Sequence, residues 1–231
     1  MSTLLLKFSG PWQAWGNDSR YTVRSTELEP TKSGVLGLLA AAQGRMRTDE
    51  VSDLAALRFG VRVDQPGTVE MDFQTARDSK SGKSWPLTKR YYLADAIFLV
   101  GIEGPDELLS GLEEAIRRPR FPLYLGRRSC PINHDVVIGM VELPLLPALR
   151  EQEWLASERH RRSRPNPANL RIVRDSEAGE QGQTARDVPV SFSQERRLYT
   201  WRTVVSEDVV TVDNPDGSST FDDFFEVVRT G

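Results

Sequence analysis

Soft metal ligands are scarce in this chain of 231 residues, which has one cysteine, Cys130, and two histidines, His134 and His160. A lone cysteine closes no internal disulfide, and these three side chains give no spacing of a structural zinc site. A reducing compartment and no bound metal or cofactor are expected. No stretch approaches the ~18 consecutive apolar residues of a membrane-spanning helix, so no membrane partner is expected. The opening Met1-Ser-Thr-Leu-Leu-Leu-Lys-Phe8 lacks a basic leader and its apolar run breaks at Lys7, which argues against a secretory signal and for a cytoplasmic protein. No repeat of fixed period is present. Thr31-Lys-Ser-Gly34 lacks the glycine-rich approach that cradles nucleotide phosphates, so ATP binding is not indicated.

One further absence is local: between Ala115 and His134 there is no acid, while five arginines (Arg117, Arg118, Arg120, Arg127, Arg128) crowd the stretch. Guanidinium groups stay charged, present a planar fork of donors and resist burial, so a proline-punctuated loop carrying them faces water or a polyanion. Phe121 and Tyr124 add flat faces on which a base can stack. The competing reading is a solvated loop. Charge is segregated elsewhere too. Arg159 to Arg174 holds six arginines and no acid, whereas Ser206 to Gly231 holds seven acids against Arg229, so a net charge of -3 can conceal a basic face.

With 39% hydrophobic and 27% charged residues the composition is that of a globular protein, large enough for one elaborated domain or two small ones. Leu4 to Phe8 reads as a buried strand, ended by Gly10-Pro-Trp-Gln-Ala-Trp-Gly16. Thr31-Lys-Ser-Gly opens an apolar helix running to Ala42, with Ser33 as its expected cap. Phe59 to Asp64 and Ala96 to Gly101 read as strands. A helix from Asp106 puts Leu108, Leu109, Leu112 and Ile116 on one face, with acids at its start and Arg117 and Arg118 at its end. Val136 to Val141 gives another strand. Strand, helix, strand, strand, helix, strand is the α+β, ferredoxin-like (RRM-like) order.

Between the second and third strands, about 67–93, alternating Val69, Met71, Phe73 and Thr75, a polar tip and a returning arm predict an inserted basic β-hairpin carrying Arg77, Lys80, Lys83, Lys89 and Arg90. Beyond Leu143, a helix over 149–161, a long basic loop over 162–182 and a strand over 197–205 predict a smaller β-rich C-terminal subdomain with an acidic tail. The division is therefore 1–145 and 146–231. For catalysis the chain offers little: His134 or Tyr124 beside Arg127 would be the acid-base set for metal-independent RNA cleavage. A solvated histidine is the simpler reading. Near two arginines the Cys130 thiol has a reason for a lowered pKa, though packing explains it as well.

Gly10 to Gly16 after the first strand, Pro30-Thr-Lys-Ser-Gly-Val-Leu-Gly-Leu-Leu39 on the first helix, and Tyr124-Leu-Gly-Arg-Arg-Ser-Cys-Pro131 occur in an order that resembles the type I-E form of the Cas five family, in the RAMP superfamily of CRISPR-associated proteins. The resemblance covers the first 131 residues. It implies a non-enzymatic subunit of the Cascade surveillance complex that holds the 5′ handle of the crRNA and caps the backbone filament. The implied partners are that RNA, the backbone subunit (CasC), the large subunit (CasA) and, through the assembled complex, target DNA. The implied RNA-contacting residues are Lys32, Ser33, Arg120, Tyr124, Leu125, Gly126, Arg127, Arg128 and Ser129, with Arg24 and the Trp12 to Trp15 turn as weaker members. The hairpin becomes a thumb whose RNA and partner contacts come from Arg77, Lys80, Lys83, Lys89 and Arg90. One branch of the family cleaves precursor transcripts, which leaves an endoribonuclease as the alternative, and a protein-only scaffold as a third possibility.

Overall fold

A computed structural model describes residues 1–16 and 22–217, with Glu207 described by its backbone only. The far end of the expected acidic tail, 218–231, lies outside the described residues. In chain order the elements are β1 (Ser2–Ser9), β2 (Trp12–Gln13), β3 (Val23–Arg24), α1 (Lys32–Gln43), α2 (Ser52–Ala55), β4 (Arg58–Gln65), β5 (Thr68–Gln74), β6 (Thr88–Ala94), β7 (Ile97–Gly104), α3 (Asp106–Arg117), β8 (Val137–Val141), α4 (Leu145–Glu151), α5 (Glu158–Arg162), β9 (Ala168–Asp175), β10 (Gln183–Ser191) and β11 (Leu198–Val212). The protein is α+β, with one mostly antiparallel sheet of seven strands in the order β10-β11-β9-β4-β7-β1-β8 and few helices.

The apolar runs of β1 and β7 occupy the middle of this sheet and are buried on both faces. On one face α1 and α3 cover Leu4, Leu6, Phe8, Phe98 and Val100. On the other, α4 lays Leu145, Ala148 and Leu149 on Leu5, Leu99 and Ile172. That approach is close. A Cβ on Gly60 or Gly101 would stand 2.9 or 2.8 Å from a leucine methyl of α4, so these strand positions need glycine. At the start of α1 the cap is Thr31, whose hydroxyl accepts from the Gly34 N–H, and not Ser33. Gly44 ends the helix in the left-handed region, φ 82°.

The C-terminal half departs from the sequence reading in three places. The stretch expected as one helix over 149–161 is α4, an extended passage and α5, because the buried Arg62 guanidinium donates to the carbonyls of Leu149, Gln152 and Glu153. Asp64 in turn accepts from the Leu155 N–H. The expected basic loop over 162–182 contains β9, which pairs with β4 so that 168–212 extends the main sheet. Its alternation is the signal: Ala168, Leu170 and Ile172 are buried between exposed Asn169 and Arg171. β10 was likewise unread.

A compact charge knot fastens this extension to the start of α1. Lys32 Nζ lies 2.9 Å from Asp175, Arg202 bridges Asp175 and Asp187 at 2.7 and 2.6 Å, and the Lys32 N–H donates to Asp187. Two cations thus face two carboxylates, and the Asp175 oxygen that meets Lys32 also accepts from the Phe59 N–H.

Beside the main sheet a small one has the order β2-β6-β3, with β5 on β6. β5 and β6 form an antiparallel hairpin in register from Thr68↔Ala94 to Gln74↔Thr88, where the sequence predicts one. Its tip is closed by Asp78, which accepts from the N–H groups of Lys80 and Ser81, and by Gly82 at φ 69°.

Candidate nucleic-acid interface

The arginine-rich loop leaves α3 by crossing the end of α1. The Arg120 and Phe121 N–H groups donate to the carbonyls of Ala42 and Ala41, adding to the cap that Gly44 and Arg45 make on Ala41 and Ala40. The Arg120 side chain lies over Gly44, where a Cβ would stand 2.7 Å from its Cδ.

Beyond Tyr124, which bridges to Pro131, the chain pinches shut: the Leu125 N–H donates to the Cys130 carbonyl and the Cys130 N–H to that of Arg127. Leu125 and Cys130 are both fully buried and act as the two anchors of this pinch. Leu125 is therefore a core residue, and its contribution to any interface is through the backbone it fixes. Burial pushes the Cys130 thiol up, against the lowering expected from its arginine neighbours. Gly126 (φ 84°) is forced by contact: a Cβ there would sit 1.8 Å from the Ala14 carbonyl oxygen. The Ala14 N–H donates back to Leu125, so this loop and the Trp12–Trp15 turn lie edge to edge.

Arg127 points inward. Its guanidinium donates to the carbonyls of Tyr91, Arg24 and Ser25 at 3.0–3.1 Å and lies 4.9 Å over the Tyr92 ring. It ties the loop to β6 and β3, which is a structural employment for a residue the sequence assigns to RNA. Arg128 and Ser129 are left exposed at the tip. Trp12, stacked on Tyr92 at 4.7 Å and partly exposed, forms a shelf beside them. Trp15 is fully buried, stacked on Phe8 and hydrogen-bonded to Gln13.

The fold brings Arg24, Tyr124, Gly126, Arg127, Arg128 and Ser129 together where the loop meets the hairpin base, and adds Arg90, paired in register with Arg24. Arg90 Nε is buried with no hydrogen-bond partner among the described residues. Sequence reasoning underused Trp12 and missed the buried Tyr92 that backs it, since nothing in their spacing shows that β2 and β6 are neighbours. Other members are held apart. Lys32 is buried and neutralised by Asp175 within the charge knot, not presented to solvent, because burial of an ammonium requires such a partner. It and half-buried Ser33 stand at the opposite end of α1 from Arg120, roughly 18 Å away along a helix of this length. Arg77, Lys80, Lys83 and Lys89 are exposed on the hairpin, with Arg77 also donating to the Gly82 carbonyl at the tip.

His134 is exposed on the approach to β8 beside Asp135, whose carboxyl the Lys7 ammonium holds low. Among the described residues no three His, Cys, Asp or Glu side chains converge to hold a metal ion, and no helix is long and apolar enough to cross a membrane.

Comparison with known proteins gives the same direction from every side. A curated relative, CRISPR system Cascade subunit CasD of Escherichia coli (strain K12), is 40% identical over 159 residues, spanning 60% of this chain and 70% of the relative. Among solved structures, one described as a crystal structure of a Cas protein is 40% identical with a TM-score of 0.70, covering 94% of this chain and 98% of its own. Another, from a CRISPR RNA-guided surveillance complex, is 26% identical with a TM-score of 0.76, covering 99% and 98%. The family model for CRISPR-associated protein (Cas_Cas5) matches residues 3–205, and the chain belongs to that family.

Proposed function

We propose that this protein is a non-catalytic, cytoplasmic subunit of a type I-E Cascade complex that grips the 5′ handle of the crRNA and caps the backbone filament. The observation that carries the reading is the single surface at which exposed Arg24, Arg128 and Ser129, half-buried Arg90 and the partly exposed Trp12, backed by buried Tyr92, meet. Guanidinium groups beside an open indole face suit phosphates and unstacked bases together. Arg127 acts beneath that surface, holding it in shape, and Lys32 drops out of the RNA-facing set.

The strand order β8-β1-β7-β4 with α1 and α3 on one face supports a ferredoxin-like unit within 1–145, to which 146–231 is added as a subdomain sharing its sheet. The hairpin is the thumb. One of its faces carries exposed Val69, Met71 and Phe73, a stripe no soluble surface needs, while Lys80, Lys83 and Lys89 supply charge. This combination suits a backbone subunit (CasC) on the apolar face and RNA on the cationic margin. The large subunit (CasA) and target DNA are then reached through the assembled complex.

Arg128→Glu is the discriminating variant, because Arg128 is exposed and the fold does not depend on it. In filter binding with a handle RNA, affinity drops at least tenfold, the log affinity against log salt slope becomes shallower by about 1, and thermal unfolding is unchanged. Wild-type affinity in Arg128→Glu would refute the assignment. Specific cutting of a repeat transcript in chelator, lost on His134→Ala, would replace it by the endoribonuclease reading.

A further inference from the structure

At the edge of the main sheet farthest from the arginine loop, β10 and β11 present an aromatic and cationic face with no established role. Tyr199 and Trp201 alternate along β11 and so project from the same side of the sheet. Trp201 is 63% exposed, the most open large apolar side chain after Met1 among the described residues. Arg186 lies 5.9 Å over its ring and donates from Nε to the Tyr199 carbonyl, and Arg197 lies 5.9 Å over the Tyr199 ring. Each exposed guanidinium thereby stands over an aromatic ring with N–H groups left to water.

The charge on this face is positive. Arg202 and Asp187, from the same two strands, turn into the charge knot and neutralise one another there. That leaves exposed Arg186, Arg196 and Arg197 against Glu195 between Gln183 and Val205. β10 itself, interrupted by two register shifts and Pro189, is poorly suited to pairing with another strand. The face therefore offers side chains, not backbone, to a partner.

We infer that the Arg186–Trp201 and Arg197–Tyr199 pairs form a second nucleic-acid contact, a stacking platform for a single strand of DNA. A strand of nucleic acid matches it on both counts: phosphates meet the outer guanidinium edges and a base covers the open part of the indole. β10 and β8 are separated by six strand spacings, at most about 29 Å along the sheet. The choice of DNA rests on the preceding reading, in which the guide end is already held near the other edge; the platform itself does not.

The test uses the full chain and a labelled oligothymidylate of about fifteen nucleotides in fluorescence anisotropy. Trp201→Ala is expected to weaken binding about tenfold, Trp201→Phe to restore most of it, and Arg186→Glu with Arg197→Glu to weaken it further and flatten its salt dependence. Handle-RNA binding should be unchanged in all three, whereas Arg128→Glu should leave oligothymidylate binding unchanged, so either surface can fail alone. Arg197→Ala, at an exposed position, serves if Trp201→Ala melts early. Absence of oligothymidylate binding by the wild type, or equal binding by the variants as for a protein-docking face, overturns the platform. Tighter binding of an oligouridylate, lost on Trp201→Ala, overturns the choice of DNA.

Discussion

Arg127 and Arg128 are neighbours with opposite fates, and the difference is set by what surrounds each guanidinium. Arg127 reaches three backbone carbonyls from two other segments and covers Tyr92; Arg128 reaches solvent. Removing Arg127 takes the donor from one part-buried carbonyl and two exposed ones, a loss of about 1–2 kcal/mol. Lysine keeps the charge but has no planar fork, so it does not restore the geometry. Arg127→Ala and Arg127→Lys should both lower the urea midpoint, in contrast to Arg128→Ala, and an unaltered midpoint for Arg127→Ala would show that the three hydrogen bonds contribute nothing. Charge reversal at both positions therefore mixes a folding effect with a binding effect, and the single variants separate them.

Among the elements, β4 carries the most demanding arrangement. Arg62 and Asp64 are both fully buried, joined at 2.7 Å, and between them they take the carbonyls of 149, 152 and 153 and the Leu155 N–H. Burial pushes the Asp64 carboxyl up while the Arg62 fork pulls it down. Removing one partner strands a buried charge, so Asp64→Ala is expected to cost about 3–5 kcal/mol in chemical denaturation, and Arg62→Met combined with Asp64→Leu less than that. Equal losses for the single and double changes would mean that the pair is not coupled. The hairpin behaves in the opposite way. Phe73 is half exposed, so Phe73→Ser should shift unfolding by no more than about 0.5–1 kcal/mol while reducing co-purification with the backbone subunit. Undiminished co-purification would remove the apolar stripe from the proposed interface.

At the scale of the whole molecule, charges that are segregated along the chain are mixed in space. Arg174 pairs with Glu180 and Asp208, Arg161 with Asp216 and Arg171 with Glu29, so the basic stretch over 159–174 is largely neutralised by acids from elsewhere. The cationic surface that remains is at the arginine loop, the hairpin and the β10/β11 edge. These pairs also set the acid limit of stability. The hydrogen bond from Arg174 holds the Glu180 carboxyl down to about 2 from its ordinary 4.5, and Asp53 and Asp135 are lowered by Arg45 and Lys7. A carboxylate with a depressed folded pKa contributes stability that is full above its unfolded value and disappears as pH falls through the folded one. The urea midpoint should therefore decline from about pH 5 toward pH 2, and Glu180→Gln should flatten that decline. An identical slope in Glu180→Gln would assign the acid loss to other groups.

The strand and helix order of the first 145 residues was legible in the sequence because period-2 and period-3.6 apolar patterns answer to a core whatever its partners are. The hairpin, with its alternating arm and lysine tip, was legible for the same reason. So was the arginine-rich loop, since a run of cations without acids stays mostly at the surface. What tertiary structure decided is which cations are left over. Whether Lys32 meets Asp175 and Arg202 meets Asp187 depends on β9, β10 and β11 folding back onto α1 and β4, and whether Arg127 meets three carbonyls depends on β3 and β6 lying beside its loop. Pairing between different elements leaves no mark on local pattern, because a guanidinium has the same sequence neighbours whether it faces a carboxylate or water.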